Sequence, residues 1–200
     1  MVTETGRPVV EVSDSELRDL GAASSVLSVR WSRVAEEARR AVGAAGEKAL
    51  LRLLVRGGVP QVQHVAAESD GYGYDIDARR SPQEHAHLEV KSTTDPTRLV
   101  IHLTRHEYEV MVTDAEWCLV AVLVGGDGSA VNVATVSRKW LQSAAPADRD
   151  RGGRWESARL EVPACAITPG LATETWRLVP DALLPRKAVW ASEPSAPLTV

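Results

Sequence analysis

Phenylalanine is absent from this chain of 200 residues, and cysteine occurs only twice, at Cys118 and Cys165. Neither cysteine lies in a Cys-x-x-Cys pattern, so a thiolate zinc site is not expected. Two unpaired thiols are typical of a protein in a reducing cytoplasm. The missing phenylalanine, beside abundant alanine, valine and arginine, indicates a bacterial genome rich in G and C.

The sequence also lacks an excess of positive charge, a leader pattern and a long hydrophobic run. A net charge of −4 gives no global field that attracts nucleic acid, although a local basic rim can still bind phosphate. No basic segment followed by an apolar stretch opens the chain, and no apolar run approaches the roughly 20 residues that span a bilayer. These absences favour a soluble, cytoplasmic protein without a membrane partner.

The spacing of apolar residues predicts helices and strands in alternation. Helical spacing over 25–42 continues over 47–56, either as a second helix or as the same helix after a break at Gly43 and Gly46. Thr104-x-x-Glu107 has the pattern of a capping box at the start of a helix that ends near Thr113. The predicted strands cover 59–66, the segments around Asp75 and Glu89, 98–103, 117–124 and 131–136.

This order predicts an α/β or α+β fold with a mixed sheet flanked by helices. The predicted division is an N-terminal lead at 1–24, a core at 25–144, a β-rich extension at 145–190 and a disordered tail at 191–200. Seven of the eleven prolines and four of the six tryptophans fall at or after Trp140. Within the extension, 154–162 and 173–179 alternate as two strands would. The extension would shape substrate choice or bind a partner protein, and a homo-oligomer is a further possibility.

Two segments of alternating polarity flank a turn-like stretch around Pro82 and predict an antiparallel hairpin. Successive strand residues point to opposite faces. The alternation predicts an apolar set (Tyr74, Ile76, Leu88 and Val90) and a charged set (Asp75, Glu89 and Lys91). If the turn centres on Pro82, Asp75 lies opposite Glu89, with Cβ atoms about 5 Å apart.

Two carboxylates at that distance repel each other unless positive charge lies between them. Lys91 projects from the same face as Glu89, and a divalent cation would complete the neutralisation. Hard cations such as Mg²⁺ prefer oxygen ligands of this kind. The pattern therefore predicts a metal site with an ammonium group beside it. The alternative is a solvated hairpin face with a surface aspartate and a Glu–Lys pair.

Four elements in order carry a resemblance to a known group of nucleases: Gly46-Glu47, Gly73-Tyr74-Asp75-Ile76, Glu89-Val90-Lys91-Ser92-Thr93 and Leu103-Thr104-Arg105-His106-Glu107. Over about residues 46–124 the chain resembles the PD-(D/E)XK nuclease superfamily and, more closely, the NO VEIN C-terminal-like family, which looks like one branch of it. His106 departs from the family pattern, where asparagine is expected.

The resemblance implies a restriction-endonuclease-like fold and a metal-dependent DNA endonuclease in a restriction, repair or defence setting. It implies that Asp75 and Glu89 bind Mg²⁺ or Mn²⁺ together with the backbone carbonyl of Val90. Lys91 would orient or deprotonate the attacking water. Glu47 is either a further metal ligand or an acidic residue stabilised by the helix dipole at a helix start.

Other residues near these motifs have two interpretations each. Tyr74 either packs in the core or braces the site through its hydroxyl, and His87 is expected opposite Asp77 across the hairpin. Three basic residues either contact phosphate or are ordinary solvated charges: Arg98, Arg105 and His106. The alternative to an enzyme is the same fold kept as a catalytically silent module that binds DNA or a protein.

Overall fold

The computed structural model describes residues 14–67, 70–148, 153–173, 176–185 and 190. The chain divides into two compact units, Met1–Arg40 and Ala41–Val200. The short valine-rich run at 9–12 and the tail predicted at 191–200 lie outside the described residues. Among the helices that the structure describes, none is both long and apolar enough to cross a membrane.

One helix, α1, extends from Asp14 to Arg56 without interruption. The predicted break at Gly43 and Gly46 is therefore wrong, as is a helix start at Glu47. A glycine inside a helix costs only about 1 kcal/mol relative to alanine, and the buried leucines of the last turns outweigh that cost. The helix ends as predicted, with the amide of Gly57 bonded to the carbonyl of Leu53.

The strands of the main sheet are β1 (Gln61–His64), β2 (Ile76–Arg79), β3 (His85–Thr93), β5 (Trp117–Val124), β6 (Ala130–Val136) and β8 (Ile167–Pro169). They lie in the order β1-β2-β3-β5-β6-β8. The β3–β5 pair is parallel and the other pairs are antiparallel. The predicted mixed α/β fold is confirmed.

A second sheet and two short helices complete the described core. The sheet consists of β4 (Val100–Thr104) and β7 (Ser157–Glu161), paired antiparallel. Helix α2 (Arg105–Thr113) follows β4 directly, and α3 (Arg138–Ala144) follows β6. The capping box at Thr104 is confirmed, and the Ser137 side chain caps α3 by accepting from the amide of Trp140.

The two faces of the main sheet bury separate apolar clusters. On one face Leu50 and Leu54 of α1 pack with Val120 of β5. On the other face Met111 of α2 packs with the neighbouring Leu119. Because β5 contributes to both clusters, its uninterrupted apolar sequence is explained by burial on both sides.

The predicted C-terminal extension joins the core through its strands. Strand β7 pairs with β4, and β8 lies beside β6 at the end of the main sheet. The strand predicted over 173–179 is wrong, because among its described residues there is only an isolated bridge between Ala172 and Arg177. The apolar side chains that suggested it fill the α1-side cluster instead, with Trp176 bonded to the carbonyl of His85.

Candidate functional site

The hairpin of β2 and β3 has the predicted register. Ile76 pairs with Leu88 and Asp77 with His87, and the turn centres on Pro82, since the amide of Arg80 donates to the carbonyl of Glu84 over 2.8 Å. The paired register ends at Ile76, so the expected position of Asp75 opposite Glu89 lies one residue beyond it and stays a prediction.

Asp75 lies just before β2 and is fixed by four hydrogen bonds. Its amide donates to the carbonyl of Leu88 over 2.9 Å, and its carbonyl accepts from the amides of Val65 over 2.9 Å and Ala66 over 3.2 Å. Its Oδ2 atom accepts from the amide of Val90 over 2.7 Å. Because β2 begins only at Ile76, this side chain supplies the acceptor that the Val90 amide needs beyond the end of the ladder. The amide and carbonyl of one strand residue point to the same side, so the Val90 carbonyl faces the side on which Asp75 lies.

Glu89 and Lys91 form an ion pair on the face of β3 opposite Leu88 and Val90. Glu89 is only 4% exposed, and its Oε1 atom lies 2.7 Å from Lys91 Nζ. The same ammonium lies 3.0 Å from Oε1 of Glu107 at the start of α2. Lys91 therefore bridges two carboxylates that come from different elements.

Glu107 has two functions in the structure, of which the sequence indicated one. Its Oε2 atom accepts from the amide of Thr104 over 2.9 Å, and its own amide donates to Thr104 Oγ1, which closes the capping box. Its Oε1 atom accepts from Lys91. The capping motif explains Glu107 locally, so its contact with a lysine 16 residues away was missed. One signal in the sequence could have revealed it: a carboxylate has two acceptor oxygens, and the capping box uses only one of them.

The pKa values of Asp75, Glu89 and Lys91 are all raised above their ordinary values. Burial raises the pKa of Asp75 to about 6, with further increases from the charges of Glu47 and Glu107. Burial likewise raises the pKa of Glu89, against the opposing effect of Lys91. Burial lowers the pKa of Lys91, but the charges and hydrogen bonds of Glu89 and Glu107 outweigh it, so the net pKa is raised. Burial is thus the main cause for the two carboxyl groups, whereas neighbouring negative charge raises the pKa of Lys91.

Glu47 lies in the middle of α1, so the helix-start interpretation of this residue is wrong. Its Oε2 atom lies 2.7 Å from Nε2 of His64 on β1. Its charge contributes to the raised pKa of Asp75, so Glu47 lies near enough to act on that carboxyl, and its role as a metal ligand stays a prediction. Gly46 permits this approach, because the helix backbone passes close to Ser92 of β3. The sequence did not indicate this pairing, because Glu47 and His64 lie 17 residues apart on different elements.

Tyr74 and His87 stack beside the cluster. Their ring centroids are 4.3 Å apart and their planes differ by 11°. Nδ1 of His87 lies 2.6 Å from Oδ2 of Asp114, so this histidine pairs with Asp77 in register but forms its hydrogen bond elsewhere. Tyr74 packs with the α2-side cluster, not with Ile76 on the other face. The expected alternation fails here because the chain enters β2 only at Ile76.

The three basic residues predicted to contact phosphate differ in exposure and in the contacts that their side chains already make within the protein. Arg98 is largely exposed and lies 3.8 Å from Asp95. Arg105 is bonded to Glu109 and Asp148 and lies over the ring of Trp155. Nε2 of His106 lies 3.1 Å from the carbonyl of Gly71. Their contact with nucleic acid stays a prediction.

The donor set around Asp75 has the chemistry that a hard divalent cation requires. Among the described residues, no three His, Cys, Asp or Glu side chains are grouped so that they could hold a metal ion. The predicted metal site has only two such side chains, Asp75 and Glu89, together with the backbone carbonyl of Val90. Mg²⁺ usually retains several waters, which would supply the remaining ligands. With Asp75, Glu89, Glu107 and Lys91 all ionised, the cluster has a formal excess of two negative charges. One divalent cation would balance it, so these residues fit the ion.

Residues 44–135 match the family described as Protein NO VEIN, C-terminal. The match covers less than half of the chain and includes every member of the charged cluster. No curated protein and no solved structure matches the chain. The resemblance to this family is confirmed over those residues, and the wider superfamily assignment stays a prediction.

Proposed function

We propose that the chain is a metal-dependent nuclease that hydrolyses phosphodiester bonds of DNA. The observation that carries the proposal is the partly buried ammonium of Lys91, held between Glu89 and Glu107 beside Asp75, whose pKa burial raises to about 6. Buried charge is unfavourable unless it is paired, and strongly perturbed pKa values are concentrated at functional sites. The resemblance to nucleases supports DNA as substrate and a restriction, repair or defence setting.

Each residue has a distinct part in the proposed reaction. Asp75 and Glu89 would hold Mg²⁺ or Mn²⁺ together with the Val90 carbonyl. When bound, such an ion polarises a phosphoryl oxygen and lowers the pKa of a coordinated water. Because its pKa is raised, Lys91 stays protonated. It would therefore orient the attacking water and stabilise negative charge at the phosphorus, instead of removing a proton.

The test is cleavage of supercoiled plasmid and linear duplex DNA with millimolar Mg²⁺ or Mn²⁺. The parent should cleave in a metal-dependent manner, and Asp75→Asn should not. Glu36→Gln is the matched control, because Glu36 is a surface carboxylate that pairs only with Arg39 and Arg40 among the described contacts. Equal cleavage by the parent and Asp75→Asn would refute the proposal.

A second candidate function is a module on the same fold that binds DNA or a protein without cleaving. It is favoured by the Lys91 ion pairs, which compensate the charge of Glu89 without any further ion. This candidate would be selected if the protein binds labelled DNA equally well with and without a chelator, and if it cleaves DNA with none of the metals tested.

A further inference from the structure

The two carboxylates that contact Lys91 differ in how firmly they are held. Glu89 is two residues away on the same strand and contacts Lys91 through Oε1. Glu107 belongs to α2, and its Oε2 atom is fixed by the amide of Thr104 at the helix start. The capping bond holds the Glu107 carboxylate in place, so its Oε1 atom offers Lys91 an acceptor anchored to another element.

Lys91 and a divalent cation compete for Glu89 in the proposed site. The ammonium already lies 2.7 Å from Glu89 Oε1, and like charges in a buried site repel strongly. A cation that binds Glu89 must therefore weaken or break the contact between Glu89 and Lys91. Without another partner, Lys91 would become a partly buried, unpaired cation beside a metal ion, which is unfavourable.

Building on the proposed function, we propose that Glu107 is a positioning residue that retains the Lys91 ammonium when a divalent cation takes its place on Glu89. Glu107 thereby makes cation binding possible and keeps Lys91 at the reacting phosphate. The structure shows the state in which Lys91 contacts both carboxylates. The cation-bound state retains only the contact with Glu107.

The first arm of the test is Glu107→Gln in the full chain, with Mg²⁺ and Mn²⁺ binding measured by calorimetry and by the metal-induced increase in melting temperature. Glutamine preserves the capping box, since its carbonyl oxygen can accept from the Thr104 amide. Its amide group then faces Lys91, which loses its second carboxylate. We expect the affinity for either metal to fall at least tenfold.

A lost negative charge also weakens cation binding directly, so a second arm separates the two effects. In a Lys91→Met background there is no ammonium to retain, and Glu107→Gln should then lower metal affinity by no more than about threefold. This non-additivity in a double-mutant cycle is the signature of residues that act through each other. The same loss in both backgrounds would overturn the proposal, because Glu107 would then act on the cation directly.

Thr104→Ala is the matched control for the helix cap. It removes the other half of the capping box and leaves the contact of Glu107 with Lys91, so it should lower the melting temperature but leave metal affinity within about twofold of the parent. A tenfold loss in this variant would show that helix stability controls metal binding and would overturn the proposal.

If the parent binds neither metal, both this inference and the proposed function fail. If the parent binds metal but the cycle is additive, only this inference fails.

Discussion

Gly46 of α1 lies against Ser92 of β3 so closely that a Cβ atom on Gly46 would be 1.9 Å from Ser92 Oγ and 2.8 Å from Ser92 Cβ. The two residues are the neighbours of Glu47 and Lys91 along the chain. This contact therefore fixes the distance between the helix and strand on which two members of the charged cluster lie. Only glycine allows that distance.

Replacing Gly46 by alanine should destabilise the protein by about 1–3 kcal/mol, because the new methyl group overlaps with Ser92 in a packed interior. Gly43→Ala is the control in the same helix. A Cβ at Gly43 would meet only Glu47 Oε1, at 4.0 Å. The control should therefore stabilise the protein by up to about 1 kcal/mol through helix propensity. Urea denaturation of both variants checks the prediction, and stabilisation by both would show that helix and strand are not in close contact.

Asp75→Asn should change how stability depends on pH in the absence of metal. The pKa of Asp75 is raised to about 6 by burial, whereas an unfolded aspartate has a pKa of about 3.9. Between these values the folded parent binds more protons than the unfolded chain, so its stability falls as pH rises from about 4 to about 6. The asparagine variant lacks this fall and should be more stable than the parent above pH 6, on the order of 2 kcal/mol.

Melting temperatures at pH 4.5 and pH 7.5 in the presence of a chelator, each at fixed ionic strength, measure this difference. Addition of Mg²⁺ should then raise the melting temperature of the parent by preferential binding to the folded state, and leave Asp75→Asn almost unchanged. A variant that is less stable than the parent at pH 7.5 would contradict the raised pKa.

Lys91→Ala should separate metal binding from turnover. Removal of the ammonium leaves the buried Glu89 without its partner, which should cost about 3 kcal/mol when no metal is present. Metal binding should be retained, and Mg²⁺ should raise the melting temperature more than in the parent, since the cation replaces the missing charge. Cleavage should be lost. Lys139→Ala, at an exposed position of α3, should match the parent in melting temperature, metal response and cleavage.

Thr104→Ala should remove one half of the capping box and lower stability by about 1 kcal/mol. The Glu107 contact with Lys91 does not involve the Thr104 side chain, so cleavage at low temperature should stay close to that of the parent. Chemical denaturation and a cleavage assay at 15 °C test both halves of the prediction. Full stability with lost cleavage would place the Thr104 hydroxyl in the reaction itself.

Much of the fold followed from periodicity and turn chemistry. The uninterrupted apolar sequence of β5, the capping box at Thr104 and the hairpin around Pro82 were each predicted because a few neighbouring residues determine them. The continuous helix through Gly43 and Gly46 was not, because the local penalty of two glycines is small beside the burial of leucines on the sheet. The strand at 173–179 was wrongly predicted because a local pattern was again overridden by packing. Alternating apolar residues can fill a core from an irregular segment as well as from a strand.

The sequence by itself determined the hairpin register around Pro82, and it determined that Thr104 and Glu107 form the capping box of α2. Only the tertiary structure decided that the second oxygen of Glu107 contacts Lys91, that Glu47 pairs with His64, and that Tyr74 turns to the α2 side of the sheet. The physical reason is the separation along the chain of the residues that interact. Helix caps and hairpin registers depend on residues only a few positions apart. The partners of a buried charge depend instead on which elements packing brings together, here α1 and α2 against the strands of the main sheet.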